Sequence, residues 1–114
     1  ALVAERPELF PIKPEVEFPI RWLPGSAIDP KNDLVTGLAR AYAQVTGAQP
    51  EVQGIAGPCD MFVFHQHYNM PAVLFGPKGG NTHAPDEWVD LDSVQLTSEV
   101  LARFICRWCG VDLR

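Results

Sequence analysis

The chain has 114 residues, 46% of them hydrophobic, and a formal net charge of −5. That hydrophobic share supports a packed core and excludes wholesale disorder. The acidic balance, with no basic stripe interleaved with aromatics, excludes nucleic acid as a partner. No apolar run approaches the roughly 20 residues that a membrane helix requires, so no membrane partner is expected either.

The length gives room for one small domain or parts of two. The first residue is Ala1, which a trimmed initiator or a longer parent chain explains equally. No basic, apolar and small-residue pattern of a secretory leader opens these residues. Three cysteines, Cys59, Cys106 and Cys109, are too few and odd in number for a disulfide scaffold. They favour a reducing compartment, and a cytoplasmic location is expected.

In chain order, Pro7, Pro11 and Pro14 make residues 1–15 irregular. Residues 16–22 alternate with period two and read as a strand, and Pro19 assigns it to a sheet edge. A helix follows, capped by Asp29 or Asn32 with Pro30 in its first turn. Its apolar face carries Leu34, Leu38, Ala41, Tyr42 and Val45, and Gly47 stops it. Glu51-Val52-Gln53 reads as a short strand, so residues 16–53 form a strand–helix–strand unit. Gly54 to Pro58 is loop-like and marks a domain crossing. Met61 to Phe64 is a helix turn or a buried strand; periodicity does not decide. Ala72 to Phe75 reads as a buried strand between Pro71 and Gly76-Pro77, and Gly79 to His83 as a flexible loop. The final helix is capped by Asp90 or Asp92 and ended by Gly110. Its stripe holds Leu96, Val100, Leu101, Phe104, Ile105 and Trp108.

His65, His67 and His83 are the only histidines, and all lie within nineteen residues. On a strand, His65 and His67 would share one side as a metal pair; on a helix or loop that geometry disappears. His83 closes a glycine-rich loop after an expected strand, where α/β proteins place ligands, and Asp86 and Glu87 follow to orient or neutralise it. The loop Gly76 to Asn81 lacks the Gly-Lys-Ser/Thr of a P-loop. Its glycines more simply let backbone amides approach a carboxylate or oxyanion. Cys106 and Cys109 have redox spacing, but at a helix C-terminus, where the dipole opposes a thiolate. They read as core or semi-exposed thiols. Asp60 reads as a helix cap or as a carboxylate that supports a site.

Three blocks carry a resemblance: Gly57-Pro58-Cys59-Asp60-Met61-Phe62, then Pro71 to Pro77, then His83-Ala84-Pro85-Asp86-Glu87-Trp88-Val89. Together with the terminal amphipathic helix, they resemble the C-terminal end of the metallopeptidase family of acetylornithine deacetylase, succinyl-diaminopimelate desuccinylase, aminoacylase and carboxypeptidase G. The resemblance implies an α/β fold. Residues 54–114 would form the C-terminal part of a zinc-peptidase-like catalytic domain. Residues 1–53 would form the end of an α+β lid domain that mediates homodimerisation. It further implies a site of two zinc ions, with cobalt or manganese as substitutes, that cleaves amide bonds of N-acyl amino acids or small peptides. His83 maps onto one of five metal ligands. Gly79, Gly80, Asn81 and Thr82 map beside the substrate carboxylate, and Asp60, Asp86 and Glu87 support the site. The other ligands and the general-base glutamate belong to an N-terminal part of the enzyme not present here, so the 114 residues alone are expected to be inactive. Cys59 departs from the small hydroxyl residue common before the aspartate. Two alternatives remain: a self-contained metal domain built on His65, His67 and His83, and a non-catalytic module that pairs through the edge of its strand–helix–strand half.

Overall fold

The computed structural model describes residues 23–55 and 57–111, together with Glu17. The expected strand at 16–22 lies outside the described residues except for Glu17. The elements run α1 (Asp33–Thr46), α2 (Met61–His67), β1 (Gly79–Gly80), β2 (Trp88–Val89) and α3 (Leu91–Trp108). Helices and a small antiparallel sheet give a mixed structure consistent with the expected α/β class. No helix among the described residues is long and apolar enough to cross a membrane.

Local chemistry sets the ends of α1. Asn32 is the cap, its side chain accepting the Leu34 N–H at 3.0 Å. Asp29 instead builds the preceding turn, accepting from the Lys31 N–H at 2.8 Å through its side chain and from the Asn32 N–H at 2.9 Å through its carbonyl. Gly47 takes φ 74, the left-handed conformation that closes a helix without a Cβ penalty. The expected apolar face of α1 is inward: Ala41 is buried, and Leu34, Leu38, Tyr42 and Val45 are half-buried. Val35 is buried as well.

The long helices α1 and α3 pack on each other. They meet at Gly37, where a Cβ would stand 3.2 Å from Cε2 of Phe104, so the missing side chain sets how closely they approach. Among the described residues the buried core is small: Val35, Ala41, Phe62 and Val100, with Thr97 also buried. On α3, Val100 is fully buried and Leu96, Leu101 and Phe104 are half-buried, but Ile105 and Trp108 are more than half exposed. The helix ends as expected near Gly110. Gly110 (φ 77) directs its N–H to Arg107 O, and Val111 sends its N–H back to Cys106 O at 2.7 Å.

Two expected strands do not form. Residues 51–53 are exposed and lie in no strand. Residues 72–75 also pair with no strand; Phe75 packs edge-on against Tyr42 with centroids 6.3 Å apart, while Leu74 remains 55% exposed. The undecided run at 61–64 is helical. Asp60 stands at its N-cap position, but its side chain makes no capping bond. Instead Cys59 Sγ accepts the Met61 N–H at 3.4 Å. Cysteine thus occupies this position as a working acceptor.

Candidate functional site

The loop expected to be flexible is the turn of a hairpin. Gly79 pairs with Val89 and Gly80 with Trp88, antiparallel. A bond from the Asp90 N–H to Lys78 O at 2.9 Å extends the pairing. Both glycines have a steric reason to be there. A Cβ at Gly79 would stand 2.7 Å from the Trp88 carbonyl oxygen, and one at Gly80 would stand 2.6 Å from the Trp88 indole Nε1. The indole therefore lies over Gly80, a contact that only a residue without a side chain allows.

The hairpin is fastened to α3. Asp90 caps the helix by accepting the Ser93 N–H at 2.9 Å. Ser93 Oγ donates to Asp90 O at 2.7 Å and accepts the Lys78 N–H at 2.9 Å. One serine thus joins β1 to the first turn of the longest helix. The sequence carries a signal for the cap alone, because the residue three positions after an aspartate cap has its N–H placed to donate to that carboxylate.

Between the strands, Asn81, His83 and Asp86 all adopt positive φ, at 55°, 63° and 60°. Asparagine, histidine and aspartate tolerate this region better than most residues. A turn bond from the Ala84 N–H to Asn81 O at 2.9 Å tightens the loop. The His83 N–H donates to Glu87 Oε2 at 3.3 Å, and Asn81 Nδ2 donates to Asp86 O at 3.4 Å. Glu87 therefore fixes the loop through the backbone of His83, leaving the exposed imidazole at the hairpin tip. Gly79 to Thr82, Asp86 and Glu87 all lie in or beside this hairpin. Asp60 belongs elsewhere, at the start of α2.

His65 and His67 serve other ends. His65 Nε2 accepts the Ala72 N–H at 3.0 Å; the Ala72 carbonyl oxygen lies further from that nitrogen, at 3.3 Å. The shorter contact makes Nδ1 the protonated nitrogen, which donates to Ser26 Oγ. This ring clamps residues 26 and 72 to α2 with both nitrogens engaged, a role the sequence reading did not find. His67 packs edge-on near Phe62, centroids 6.5 Å apart. Two residues apart on a helix, the two imidazoles leave the axis about 200° apart, so the pair expected on a strand does not form. Among the described residues no three histidine, cysteine, aspartate or glutamate side chains gather as a metal site. The self-contained domain built on three histidines is thereby set aside on geometry. Cys106 is half-buried and Cys109 exposed; both are free thiols, as expected.

The model of peptidase family M20/M25/M40 matches residues 11–107. The chain belongs to this family. The match spans α1, α2, the hairpin and nearly all of α3, so the three motif blocks and the terminal helix lie within one peptidase sequence pattern. No solved structure gives a significant match to the chain. Membership of this peptidase family assigns the chain to hydrolytic enzymes. The His83 hairpin combines an exposed imidazole, carboxylates and exposed backbone in one turn, joined to α3 through Ser93.

Proposed function

We propose that the chain is the C-terminal portion of a di-zinc hydrolase that cleaves the amide bond of N-acyl amino acids or small peptides. On this reading residues 1–53 end the lid domain, through which the enzyme dimerises, and residues 54–114 end the catalytic domain. The observation that carries it is the exposed His83 imidazole at the tip of a hairpin whose base is locked by Ser93 and whose loop is held by Glu87. An imidazole at a fixed backbone position is a good zinc donor because little freedom remains to be lost on binding.

Each zinc takes about four donors, so one histidine holds neither ion alone. The remaining ligands and the glutamate base come from polypeptide beyond these residues. Cobalt or manganese accepts similar nitrogen and oxygen donors. A metal pair in this position polarises the scissile carbonyl and makes water a nucleophile at neutral pH. The residues of this chain orient and bind. Glu87 fixes the His83 backbone, and Asp86 adds a compensating charge beside it. Asn81 and Thr82 offer donors to the substrate carboxylate, which lies beside Gly79 and Gly80. Asp60 supports the catalytic domain at the start of α2.

The test compares zinc content and hydrolysis of N-acyl amino acids for the 114-residue chain, the full-length enzyme and its His83→Ala and His67→Ala variants. The expected result is no stoichiometric zinc on the chain alone, with metal and activity lost in His83→Ala and retained in His67→Ala. Tight stoichiometric zinc on the isolated chain, or a fully active His83→Ala enzyme, sinks the proposal.

A further inference from the structure

Beside the Gly37–Phe104 contact lies a groove of about 230 Å³, remote in sequence from the hairpin. It is lined by Asp33, Thr36, Gly37 and Arg40 of α1 and by Phe104, Arg107 and Trp108 of α3. The periodicity of each helix assembles it. Residues 33, 37 and 40 share one face of α1, and 104, 107 and 108 share one face of α3.

The chemistry of this lining is specific. Two guanidinium groups and one carboxylate give the groove a net positive charge in a chain whose net charge is −5. Elsewhere on α3, Arg103 is neutralised within its own helix, bonding Glu99 one turn back at 3.0 Å. Arg40 and Arg107 have no acidic residue three or four positions away on either side; Arg40 has Thr36, Gly37, Ala43 and Gln44 there, and Arg107 has Arg103, Phe104, Gly110 and Val111. Their partner is not supplied by helical spacing. The same lining holds Phe104 and Trp108, rings 5.3 Å apart and tilted by 37°, with Trp108 56% exposed. Gly37 keeps the wall opposite these rings low; a Cβ there would be 3.9 Å from Trp108 Cε3.

We propose that this groove binds a small planar aromatic carboxylate. The carboxylate takes the paired hydrogen bonds of a guanidinium fork, for which its geometry is matched. The ring lies against the exposed Trp108 face. The volume accommodates a one- or two-ring ligand. Asp33 disfavours a dianion and so selects a single negative charge. The site shares no residue with the His83 hairpin, so its fate is independent of the hydrolase proposal.

The probe is benzoate, with benzyl alcohol as its uncharged counterpart. Both are titrated into the chain while the indole N–H resonance of Trp108 is followed by NMR, assigned through a Trp108→Phe variant. Benzoate is expected to shift the resonance saturably and benzyl alcohol is not. Arg40→Gln and Arg107→Gln are each expected to weaken benzoate about tenfold or more, as loss of a charge-assisted hydrogen bond implies. Gly37→Leu, which fills the groove, abolishes the shift, and Arg103→Gln leaves it unchanged. Circular dichroism confirms that each variant is folded. Equal response to benzyl alcohol, a shift that never saturates, or full affinity in both Arg40→Gln and Arg107→Gln overturns the proposal.

Discussion

Replacing Gly79 by alanine isolates what holds the His83 hairpin in place. The new Cβ would stand 2.7 Å from the Trp88 carbonyl oxygen, 0.7 Å inside the 3.4 Å at which ordinary contact begins. The obstacle is backbone, so no side-chain rotation relieves it; β1 and β2 must separate. The adjacent Asp90 N–H to Lys78 O bond, now 2.9 Å, would stretch to about 3.6 Å and cease to be a hydrogen bond. Losing it together with the neighbouring pairing costs about 1–3 kcal/mol locally, which is roughly a 5- to 150-fold change in an opening equilibrium. Gly80→Ala gives the contrast. Its new Cβ meets the Trp88 indole, a 54% exposed side chain with room to swing outward, so the pairing survives. Amide hydrogen exchange at Asp90 reads the difference, with strong acceleration expected in Gly79→Ala and little in Gly80→Ala. The thermal midpoint should move little in either, because the hairpin adds nothing to the buried core. Unchanged Asp90 exchange in Gly79→Ala, or equal acceleration in both variants, refutes the steric argument.

Val100→Ala trims a side chain that is fully buried in the small core of the described residues, and a loss of about 2 kcal/mol in urea unfolding is expected; a loss below the scatter of surface substitutions would show that α3 is not anchored there. His65→Ala leaves the Ala72 N–H and Ser26 without their partner and should cost about 1–2 kcal/mol, whereas the exposed His67→Ala should lie within about 0.5 kcal/mol of the parent. Equal effects of the two histidine substitutions in the same denaturation experiment would remove the clamp from the account of the fold.

The two long helices, α1 and α3, were legible because their signals are local. Asn32, Gly47, Asp90 and Gly110 act within a few residues of the ends they define, and each does so through its own φ or a bond to a near neighbour. Part of the candidate site was legible for the same reason, since His83, Asp86 and Glu87 fall in one turn. The assignment of Gly79 and Gly80 to a flexible loop missed a constraint that is not local in the same sense. It depends on Trp88, which reaches across the hairpin to cover Gly80. His65 illustrates a different limit. Its neighbours in sequence suggest a metal pair, whereas its two hydrogen-bond partners, Ser26 and Ala72, are set by how the chain folds around α2.

The expected strand at 72–75 failed on physical grounds that bear on the proposed function. A run such as Ala72-Val73-Leu74-Phe75 has the composition of a buried strand, but a strand is stable only with neighbours that satisfy its backbone and cover both faces. Among the described residues no strand pairs with it, and Leu74 is left 55% exposed. Ile105 on the stripe of α3 is exposed in the same measure. These positions have apolar side chains at the period of a strand and of a helix, which is the pattern of surfaces that expect cover. The same polypeptide that would supply the missing zinc ligands would then supply strands beside residues 72–75. On the proposed reading the core and the metal site are completed by the same polypeptide, so the full-length enzyme should protect the amides of 72–75 from exchange in the same step that brings zinc to His83.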